Sequence, residues 1–263
     1  MSARVREGVI AIAHAAAAAI LEVYADDFDV IRKADASPVT AADLAAHRVI
    51  VDGLQALTPD IPVLSEEAAH AVPFETRRQW RRMWLVDPLD GTREFVKRNG
   101  EFTVNIALIE AGVSVFGVIQ APVSGVLWHG APGFGAFRCD GGTETAIGPR
   151  RVGAGDVLRV AASRSHRDPR TDALLGRIGD SEPVALGSSL KFCRLAEGGL
   201  DVYPRFGPTS EWDTGAGQAI LEAAGGVVLD PQGRPFRYNL RETILNGDFI
   251  ALGDPTLPWR AWL

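Results

Sequence analysis

Cysteine is scarce in this sequence: only Cys139 and Cys193 occur among 263 residues, and they form no C-x-x-C pair. Two such distant cysteines argue against a disulfide framework and against a cysteine-based zinc site, so we expect free thiols in a reducing compartment. The sequence shows no histidine–cysteine cluster that would compete for a softer metal ion. Internal repeats and low-complexity linkers are absent too.

Long apolar runs and a strong net charge are also lacking. Glu7, His14 and Glu22 interrupt the alanine-rich N-terminus, and no uninterrupted apolar run reaches the ~18 residues that a membrane span needs. We therefore predict an amphipathic helix over 3–24 and no stable membrane span. The formal net charge is −6 and the pI about 5.4. The chain thus has no overall field that would draw it to nucleic acid or anionic lipid, and any anion site must be local.

What is present is the composition of a globular protein, with 46% hydrophobic and 23% charged residues and enough length for a substantial core. Residues 1–150 are predicted to form two helices followed by an antiparallel sheet, an α+β layout. The helices are expected at 3–24 and 41–57, with Thr40 as an N-cap. Apolar patterns predict strands at 61–67 and 81–87, several strands within 102–130 and a hairpin within 133–142.

The Gly/Pro-rich stretch 147–156 is the predicted domain boundary. Beyond it strands alternate with helices, which predicts a second, α/β domain over 151–263. The predicted strands lie at 157–163, 182–186, 200–205 and 225–230, and the predicted helices at 170–178, 188–197 and 211–224.

The segment WLVDPLDGTREF ends an apolar strand in two aspartates, Asp87 and Asp90. By itself D-P-L-D-G is ordinary turn chemistry, because proline and Asp-Gly both favour turns. Two more acids favour a metal site. Glu66 lies at the end of the earlier predicted strand, and Asp213 lies in the first turn of a predicted helix, where an acid also suits the helix dipole. Acids at the ends of elements can share a cleft, and their oxygens are the ligands that Mg²⁺ prefers.

Gly91 and Thr92 continue the same segment. Glycine allows close backbone approach, and a helix that begins within GTREFV would direct its first N–H groups at an anion. Acids that hold a metal ion beside backbone donors for phosphate are the two halves of a phosphatase site.

Three motifs in this order resemble one protein family. WLVDPLDGTREF is similar to the signature D-P-[LI]-D-G-T, LSEE resembles its upstream Glu-Glu element, and EWDTGAGQAILEAAGG resembles its W-D-x-A-A-G element. The family is the lithium-sensitive, magnesium-dependent inositol monophosphatase superfamily, and the resemblance covers essentially the whole chain. It implies a layered αβαβα sandwich. Gly215 replaces an alanine of the helix motif, which costs roughly 1 kcal/mol in a helix interior.

Within this superfamily, LVDPLDGTREFVKRNGEFTVNIALIE and GSSLKFCRLAEGGLDVYPRFGPTSEWD resemble the bacterial 3'(2'),5'-bisphosphate nucleotidases. The resemblance implies hydrolysis of adenosine 3',5'-bisphosphate (PAP) to AMP and phosphate, and of its 5'-phosphosulfate analogue PAPS to APS. It implies two or three Mg²⁺ ions and inhibition by Li⁺. It also implies a cytoplasmic enzyme, free or peripheral at the inner membrane, that is a monomer or a homodimer and acts on a small nucleoside bisphosphate rather than on nucleic acid.

The resemblance assigns the metal ligands. One Mg²⁺ would be held by Glu66, Asp87 and the Leu89 carbonyl. A second would be held by Asp87, Asp90 and Asp213, and a third, looser ion would lie near Glu66. We expect these crowded carboxylates to repel one another when no ion is bound.

The resemblance also places Asp43 and Thr92, with Glu66, in the catalytic set, where Asp43 and Thr92 would activate the attacking water. From its position alone, Asp43 would be an acid in the first turn of a helix, beside the N-cap. The residues implied to contact substrate are Glu66, Leu89, Asp90, Gly91, Thr92, His166, Ser188, Lys191, Arg205 and Asp213.

Four of these residues, Ser188, Lys191, Arg205 and His166, would surround the second phosphate of a bisphosphate substrate. The chemistry fits, because Arg binds phosphate through a planar fork and Lys as a point charge. The alternatives are a solvated helix residue for Lys191 and an ordinary loop residue for His166.

Three alternative functions compete, one on the same scaffold and two of different classes. An inositol-1-phosphatase or fructose-1,6-bisphosphatase activity would use the same scaffold. A catalytically silent phosphate-binding module would be expected to have lost at least one acid, and none is missing. A nicotinamide oxidoreductase is rejected, because VGAGDVLR has Leu158 where the third glycine of G-x-G-x-x-G should be.

Overall fold

The structure, a computed structural model, describes residues 1–26, 30–32, 38–162 and 168–263. Within that part of the chain the helices are α1 Ala3–Ala25, α2 Ala41–Leu57, α3 Phe74–Arg77, α4 Thr92–Val96, α5 Pro169–Ile178, α6 Leu190–Ala196 and α7 Glu211–Ala224, with short 3₁₀ helices at Glu66–Ala71 and Trp259–Ala261.

The strands of the first half are β1 Val30–Arg32, β2 Pro38–Thr40, β3 Val63–Ser65, β4 Arg82–Asp90, β5 Thr103–Glu110, β6 Val113–Gln120, β7 Leu127–Ala131, β8 Gly135–Asp140 and β9 Thr143–Ile147. Those of the second half are β10 Leu158–Ala162, β11 Ser181–Ala185, β12 Val202–Arg205, β13 Val227–Leu229 and β14 Phe249–Leu252.

Strands β3 to β9 form one sheet in sequence order. Every neighbouring pair is antiparallel except β3 and β4, which are parallel. The prediction of a wholly antiparallel sheet is therefore wrong at this edge. The physical reason is the connection: residues 66–81 carry the 3₁₀ helix and α3, and a crossover of a dozen or more residues lets two consecutive strands run in the same direction.

The second sheet has the order β11-β10-β12-β14-β13 and is mixed. Strand β10 pairs in parallel with β11 and β12, while β14 pairs antiparallel with β12 and β13. Strand β14 was not predicted from the sequence. Its four residues are buried on both faces, so it lacks the alternation that marks a half-buried strand.

The elements stack in five layers, αβαβα. Helices α1 and α2 bury Ile20 and Ile50 against one face of the large sheet, where Trp84 and Phe116 lie. Helices α6 and α7 pack between the two sheets, and α5 and the C-terminal segment cover the far face of the smaller sheet. The predicted layered architecture is confirmed. Along the chain, the strands of the large sheet precede residues 148–157 and those of the smaller sheet follow them. The division into two domains stays a prediction.

The predicted helices at 3–24, 41–57 and 211–224 are confirmed to within a residue. Thr40 caps α2 as predicted, with its hydroxyl accepting the Ala42 N–H at 3.2 Å. Helix α1 is the one helix in the described residues that is long and apolar enough to cross a membrane, a criterion that core helices also meet.

Helix α7 lies unusually close to strand β6. A Cβ built on Gly117 would meet the Ala216 carbonyl oxygen at 2.2 Å, and the Ser114 hydroxyl donates to the Gly215 carbonyl at 2.7 Å. Only glycine permits this approach of the helix backbone to the sheet. The contact fixes the position of the helix that carries Asp213.

We expect Gly117→Ala to destabilise the fold by about 1–3 kcal/mol or more, because the added methyl meets rigid backbone. Gly176→Ala is the matched control: this glycine lies inside α5 with open space around its Cα, so alanine should stabilise by roughly 0.5–1 kcal/mol. Chemical denaturation of both variants checks the pair. Equal stability of Gly117→Ala and wild type would contradict the close approach.

Candidate active site

Asp87 and Asp90 lie on β4 three residues apart, a spacing that in a regular strand would point them to opposite faces. The pairing with β5 shows why they do not. Asp87 lies opposite Asn105 and Asp90 opposite Thr103, so β4 holds one more residue than β5 between the two pairs. This β-bulge contains Pro88, which lacks the N–H that a regular ladder would need. The two carboxylates consequently face one cleft.

Asp213 joins them from helix α7. It is the third residue of the helix, and its Oδ2 accepts the Ser210 N–H at 2.9 Å in a capping box. Ligand oxygens of Asp87, Asp90 and Asp213 lie within 4.8 Å of one another. Glu66, the first residue of the 3₁₀ helix after β3, lines the same cleft without belonging to that close group.

Burial and mutual repulsion raise the pKa values of this cluster. The pKa of Asp87 lies well above its ordinary value because the carboxyl is buried and because Glu66, Asp90 and Asp213 are negative. The pKa of Asp213 is raised for the same reasons, burial first and Asp90 next. A cluster that resists full ionisation in this way is stabilised by a cation.

One oxygen of Asp90 is held by the second half of the chain. Its Oδ2 accepts the Ser189 N–H at 2.5 Å, the Ser188 hydroxyl at 2.7 Å and the Asn105 amide at 3.4 Å. Thr103 links this network, since its hydroxyl lies 2.5 Å from Ser188 Oγ and 2.7 Å from Ser189 Oγ. The carboxylate is thus fixed in orientation by the Asn105 side chain of β5 and by one side-chain and one backbone donor of the loop before α6.

Asp43 and Thr92 also meet. The buried Asp43 carboxylate accepts the Thr40 N–H and hydroxyl on Oδ2, both at 2.7 Å. Thr92 Oγ1 lies 3.3 Å from Asp43 Oδ1 and 3.3 Å from the Leu89 carbonyl, either of which can accept its hydrogen. The capping box that begins α2 therefore orients an acid toward the threonine of the D-P-L-D-G-T segment.

Two cations lie at the other side of the cleft. The Lys191 ammonium is buried and donates to the carbonyls of Leu186 at 3.2 Å and Ser188 at 2.6 Å. Burial lowers the pKa of Lys191 to about 8. Arg205 donates only to the backbone carbonyls of Gly207 and Pro208 within the described residues, and forms no ion pair there. Arg205 therefore keeps charge available for an anionic ligand.

The cleft has a volume of about 410 Å³ and brings together most of the predicted site residues. Those lining it are Glu66, Asp87, Leu89, Asp90, Gly91, Thr92, Ser188, Lys191, Arg205 and Asp213. Asp43 contacts the cleft through Thr92, and His166 lies outside the described residues. The structure thus shows their proximity, while their roles stay predictions.

Several residues of the site were not predicted. Asn105, Thr103 and Ser189 form the network around Asp90, and Arg93 and Tyr203 line the cleft beside Lys191. Asn105 had a signal in the sequence, because it is a polar residue inside the apolar strand FTVNIALIE. Arg93 and Tyr203 had no such signal, because in the sequence Arg93 resembles any exposed charged residue and Tyr203 any buried aromatic residue.

The donor set fits a hard divalent cation. All the ligand atoms offered by the acidic group are oxygens, and among the described residues no thiol or imidazole lines the cleft. Such donors suit Mg²⁺, Ca²⁺ or Mn²⁺ rather than a softer ion.

Comparison with known proteins agrees with this geometry. The model of the inositol monophosphatase family matches residues 1–253. The 3'(2'),5'-bisphosphate nucleotidase CysQ of Salmonella typhimurium is 53% identical over 245 residues, which cover 92% of this chain and 97% of the relative. The protein of the same name from Escherichia coli K12 is 51% identical over 243 residues, covering 92% and 96%.

Among solved structures, CysQ from Bacteroides thetaiotaomicron, described as a bacterial member of the inositol monophosphatase family, is 42% identical. It superposes with a TM-score of 0.82 over 94% of this chain and 96% of its own. The chain belongs to the inositol monophosphatase family, whose members are generally magnesium-dependent phosphatases. The family resemblance read from the three motifs is confirmed.

The raised pKa of Asp87 predicts an unusual pH dependence for the protein freed of metal. Since the folded pKa lies above the unfolded one, the carboxyl favours folding below its ordinary pKa near 3.8, and this contribution is lost as the pH rises. At neutral pH and with chelator present, Asp87→Asn should therefore unfold at a higher temperature than wild type. About 1 kcal/mol corresponds to roughly 2–4 °C at this size. The difference should shrink toward pH 4.

Asp201→Asn is the matched control, because Asp201 is equally buried but pairs with Arg150 and Arg159. These arginines lower its pKa, so its carboxylate stabilises the fold above pH 3.8 and loses that effect as the pH falls. Asp201→Asn should lower the melting temperature at neutral pH. Thermal scans of both variants from pH 4 to 8 check the signs, and a lower melting temperature for metal-free Asp87→Asn would contradict the repulsion.

Proposed function

We propose that this chain is a magnesium-dependent 3'(2'),5'-bisphosphate nucleotidase that converts adenosine 3',5'-bisphosphate to AMP and phosphate, and also accepts PAPS. The observation that supports this function best is that one cleft has a cluster of acids on one side and cationic side chains, Lys191 and Arg205 among them, on the other. The acids suit the metal ions at the scissile phosphate, and Lys191 and Arg205 suit a second anionic group of the same substrate. Two relatives more than 50% identical, both named 3'(2'),5'-bisphosphate nucleotidase, support this choice.

The metal ions would be held as the family resemblance implies. Glu66, Asp87 and the Leu89 carbonyl would hold one Mg²⁺, Asp87, Asp90 and Asp213 a second, and a third would lie near Glu66. When bound, such ions lower the pKa of a coordinated water and neutralise charge on the phosphoryl and leaving oxygens. Li⁺ is expected to inhibit by competing at this site.

Asp43 and Thr92 would prepare the attacking water. Asp43 Oδ2 accepts the N–H and the hydroxyl of Thr40, which leaves Oδ1 turned toward Thr92. The Thr92 hydroxyl donates its hydrogen to Asp43 or to Leu89. Its oxygen then presents a lone pair that can accept a hydrogen from a water in the cleft. The pair thus orients the water and favours loss of its proton.

Lys191 and Arg205 would hold the second phosphate, with Ser188 beside them. Both cations also line an adjoining cavity of about 590 Å³. The two cavities share Arg93, Lys191, Tyr203, Arg205 and Pro208. The combined space lies within the range of ligand pockets and gives room for a nucleoside between two phosphates.

Three further expectations belong to this proposal. The enzyme is expected to be cytoplasmic, either free or peripheral at the inner membrane. It is also expected to be a monomer or a homodimer and to consist of two domains that meet at residues 147–156. The alternative of an inositol-1-phosphatase activity would leave Lys191 and Arg205 without a second phosphate to bind. Fructose 1,6-bisphosphate has a second phosphate, so that alternative is separated from the proposal by the substrate assays.

A panel of phosphate-release assays tests the function. PAP, PAPS, inositol 1-phosphate and fructose 1,6-bisphosphate are compared with Mg²⁺, with and without Li⁺. PAP should have the highest kcat/KM, Li⁺ should inhibit, and Asp90→Asn should lose activity by on the order of a hundredfold or more while staying folded. A preference for inositol 1-phosphate would reject the nucleotidase, and near-wild-type turnover of Asp90→Asn would reject the metal assignment.

Arg205→Ala should separate the substrates. Loss of a charge-assisted hydrogen bond to the second phosphate costs about 1.5–3 kcal/mol, or roughly 10–150-fold in kcat/KM for PAP. Inositol 1-phosphate has no second phosphate and should change little. Arg170→Ala is the control, because Arg170 is exposed, pairs with Asp168 and Asp248, and does not line the cleft. Equal losses on both substrates would refute the assignment of Arg205.

The lowered pKa of Lys191 predicts how specificity changes with pH. Because the ammonium loses its proton near pH 8, kcat/KM for PAP relative to inositol 1-phosphate should fall about tenfold between pH 7 and pH 9. The ratio cancels titrations that affect both substrates. Lys191→Arg keeps its charge throughout and should flatten the profile. A sloping profile in that variant would assign the titration to another group.

A further inference from the structure

A second group of ligating side chains lies at the edge of the large sheet, and none of them lines the acidic cleft. They are His129 on β7, Cys139 on β8 and Glu144 on β9. Sequence patterns did not reveal this histidine–cysteine cluster, because His129 and Cys139 are ten positions apart and a hairpin turn separates Cys139 from Glu144. Pairing of β7, β8 and β9 in the sheet brings the three side chains together.

The strand register places the three side chains on one face. Cys139 lies opposite Leu127 on one side and Glu144 on the other. His129 is two residues beyond Leu127 and so points to the same face. Leu127 packs in the core beneath α1 and α2, and Cys139 lies against that core. The group therefore sits at the rim of the layer between helix α1 and the sheet.

The distances come close to those of a tetrahedral metal site. His129 Nε2 lies 2.8 Å and Cys139 Sγ 3.7 Å from Glu144 Oε2, and one ligand atom from each residue falls within 4.8 Å of the others. Zinc bonded to nitrogen, oxygen and sulfur at about 2.0–2.3 Å sets such atoms roughly 3.3–3.6 Å apart. Glu144 needs to retreat by about half an ångström from His129, and its half-exposed side chain is free to do so.

The donor atoms, an imidazole nitrogen, a sulfur and a carboxylate oxygen, favour a borderline-soft ion over Mg²⁺. The His129 ring is fully buried and its Nδ1 has no hydrogen-bond partner, so Nε2 is the nitrogen through which it meets polar groups. A metal on Nε2 would move the ring proton to Nδ1, a cost that a strong nitrogen–metal bond can offset. Burial and Glu144 raise the pKa of Cys139 to about 11, so the thiol is protonated before an ion arrives.

Binding of a divalent ion at this site conserves atoms and leaves the site nearly neutral. The Cys139 S–H bond breaks, its proton leaves to the solvent, and the thiolate forms a bond to the ion. Glu144 is already ionised, because its hydrogen bond with His129 lowers its pKa. A divalent ion then carries no net charge with its two anionic ligands, which limits repulsion by Arg6 nearby on α1. The exposed side leaves a fourth position for water.

We propose that His129, Cys139 and Glu144 form a binding site for a zinc-type divalent ion that joins strands β7, β8 and β9 at the edge of the large sheet. The site is independent of the proposed phosphatase chemistry. Because it ties the edge strands together, its occupation should raise the thermal stability of the folded chain.

Cobalt substitution tests the site, with Co²⁺ as a spectroscopic stand-in for zinc. The full chain is reduced, saturated with Mg²⁺ at the acidic cleft and titrated with Co²⁺. A thiolate-to-cobalt charge-transfer band should grow to one equivalent per chain, and Zn²⁺ should displace it. Carboxylate sites cannot produce this band, so the acidic cleft is silent in the measurement.

Two variants and one control decide the outcome. Cys139→Ser should abolish the band, and Glu144→Gln, a change at a half-exposed position, should weaken Co²⁺ affinity by at least about 10–100-fold. Cys193→Ala, which removes the other, fully buried cysteine, should keep the band. Absence of a band in wild type, a band that survives Cys139→Ser, or unchanged affinity in Glu144→Gln would each overturn the proposal.

Discussion

The site depends on one irregularity in one strand. The extra residue in β4, between the pairs Asp87–Asn105 and Asp90–Thr103, turns two carboxylates to the same side of the sheet. Without that bulge the spacing of three would point one of them into the core, where a lone buried charge is costly. Proline at the bulge and glycine after it confine this conformation to a few residues and lower its free-energy cost. Gly91 adopts a positive φ of 90° there, with the Glu101 carbonyl and Ser188 close behind it.

The other groups of the site are positioned by elements outside β4. Asp213 arrives on α7, which is pressed against β6 at Gly117, so the middle helical layer sets the distance between acids from opposite ends of the chain. The loop before α6 holds Asp90 through Ser188 and Ser189 and holds Lys191 through its own carbonyls. The acidic cluster and the cationic side of the cleft are therefore connected by a single short segment. A metal ion relieves the repulsion that this arrangement concentrates.

Much of this could be read from the sequence, and the failures have physical causes. The long helices α1, α2 and α7 were predicted to within a residue because apolar periodicity and end signals agree there. The parallel pairing of β3 with β4 was missed, because direction is set by a crossover that pattern reasoning does not see. Strand β14 was missed because a short, fully buried run has no alternation.

The acids of the cleft were predicted from motifs. Asn105, Thr103 and Ser189 were not predicted, because they contact Asp90 and one another only when β5 and the loop before α6 come together in the fold. His129, Cys139 and Glu144 show the same limit more sharply. Their grouping is a property of strand register, so the prediction that the chain has no histidine–cysteine cluster was wrong, while both cysteines are free thiols as expected.

The central claim is that the acids around the β4 bulge form a site for divalent ions. Anomalous diffraction from crystals grown with Mn²⁺, which accepts the same oxygen ligands as Mg²⁺, tests it most directly. The account predicts anomalous peaks among the carboxylates of Asp87, Asp90 and Asp213, with Glu66 beside them, and loss of a peak in Asp213→Asn. A cleft without Mn²⁺, or unchanged peaks in that variant, would contradict it.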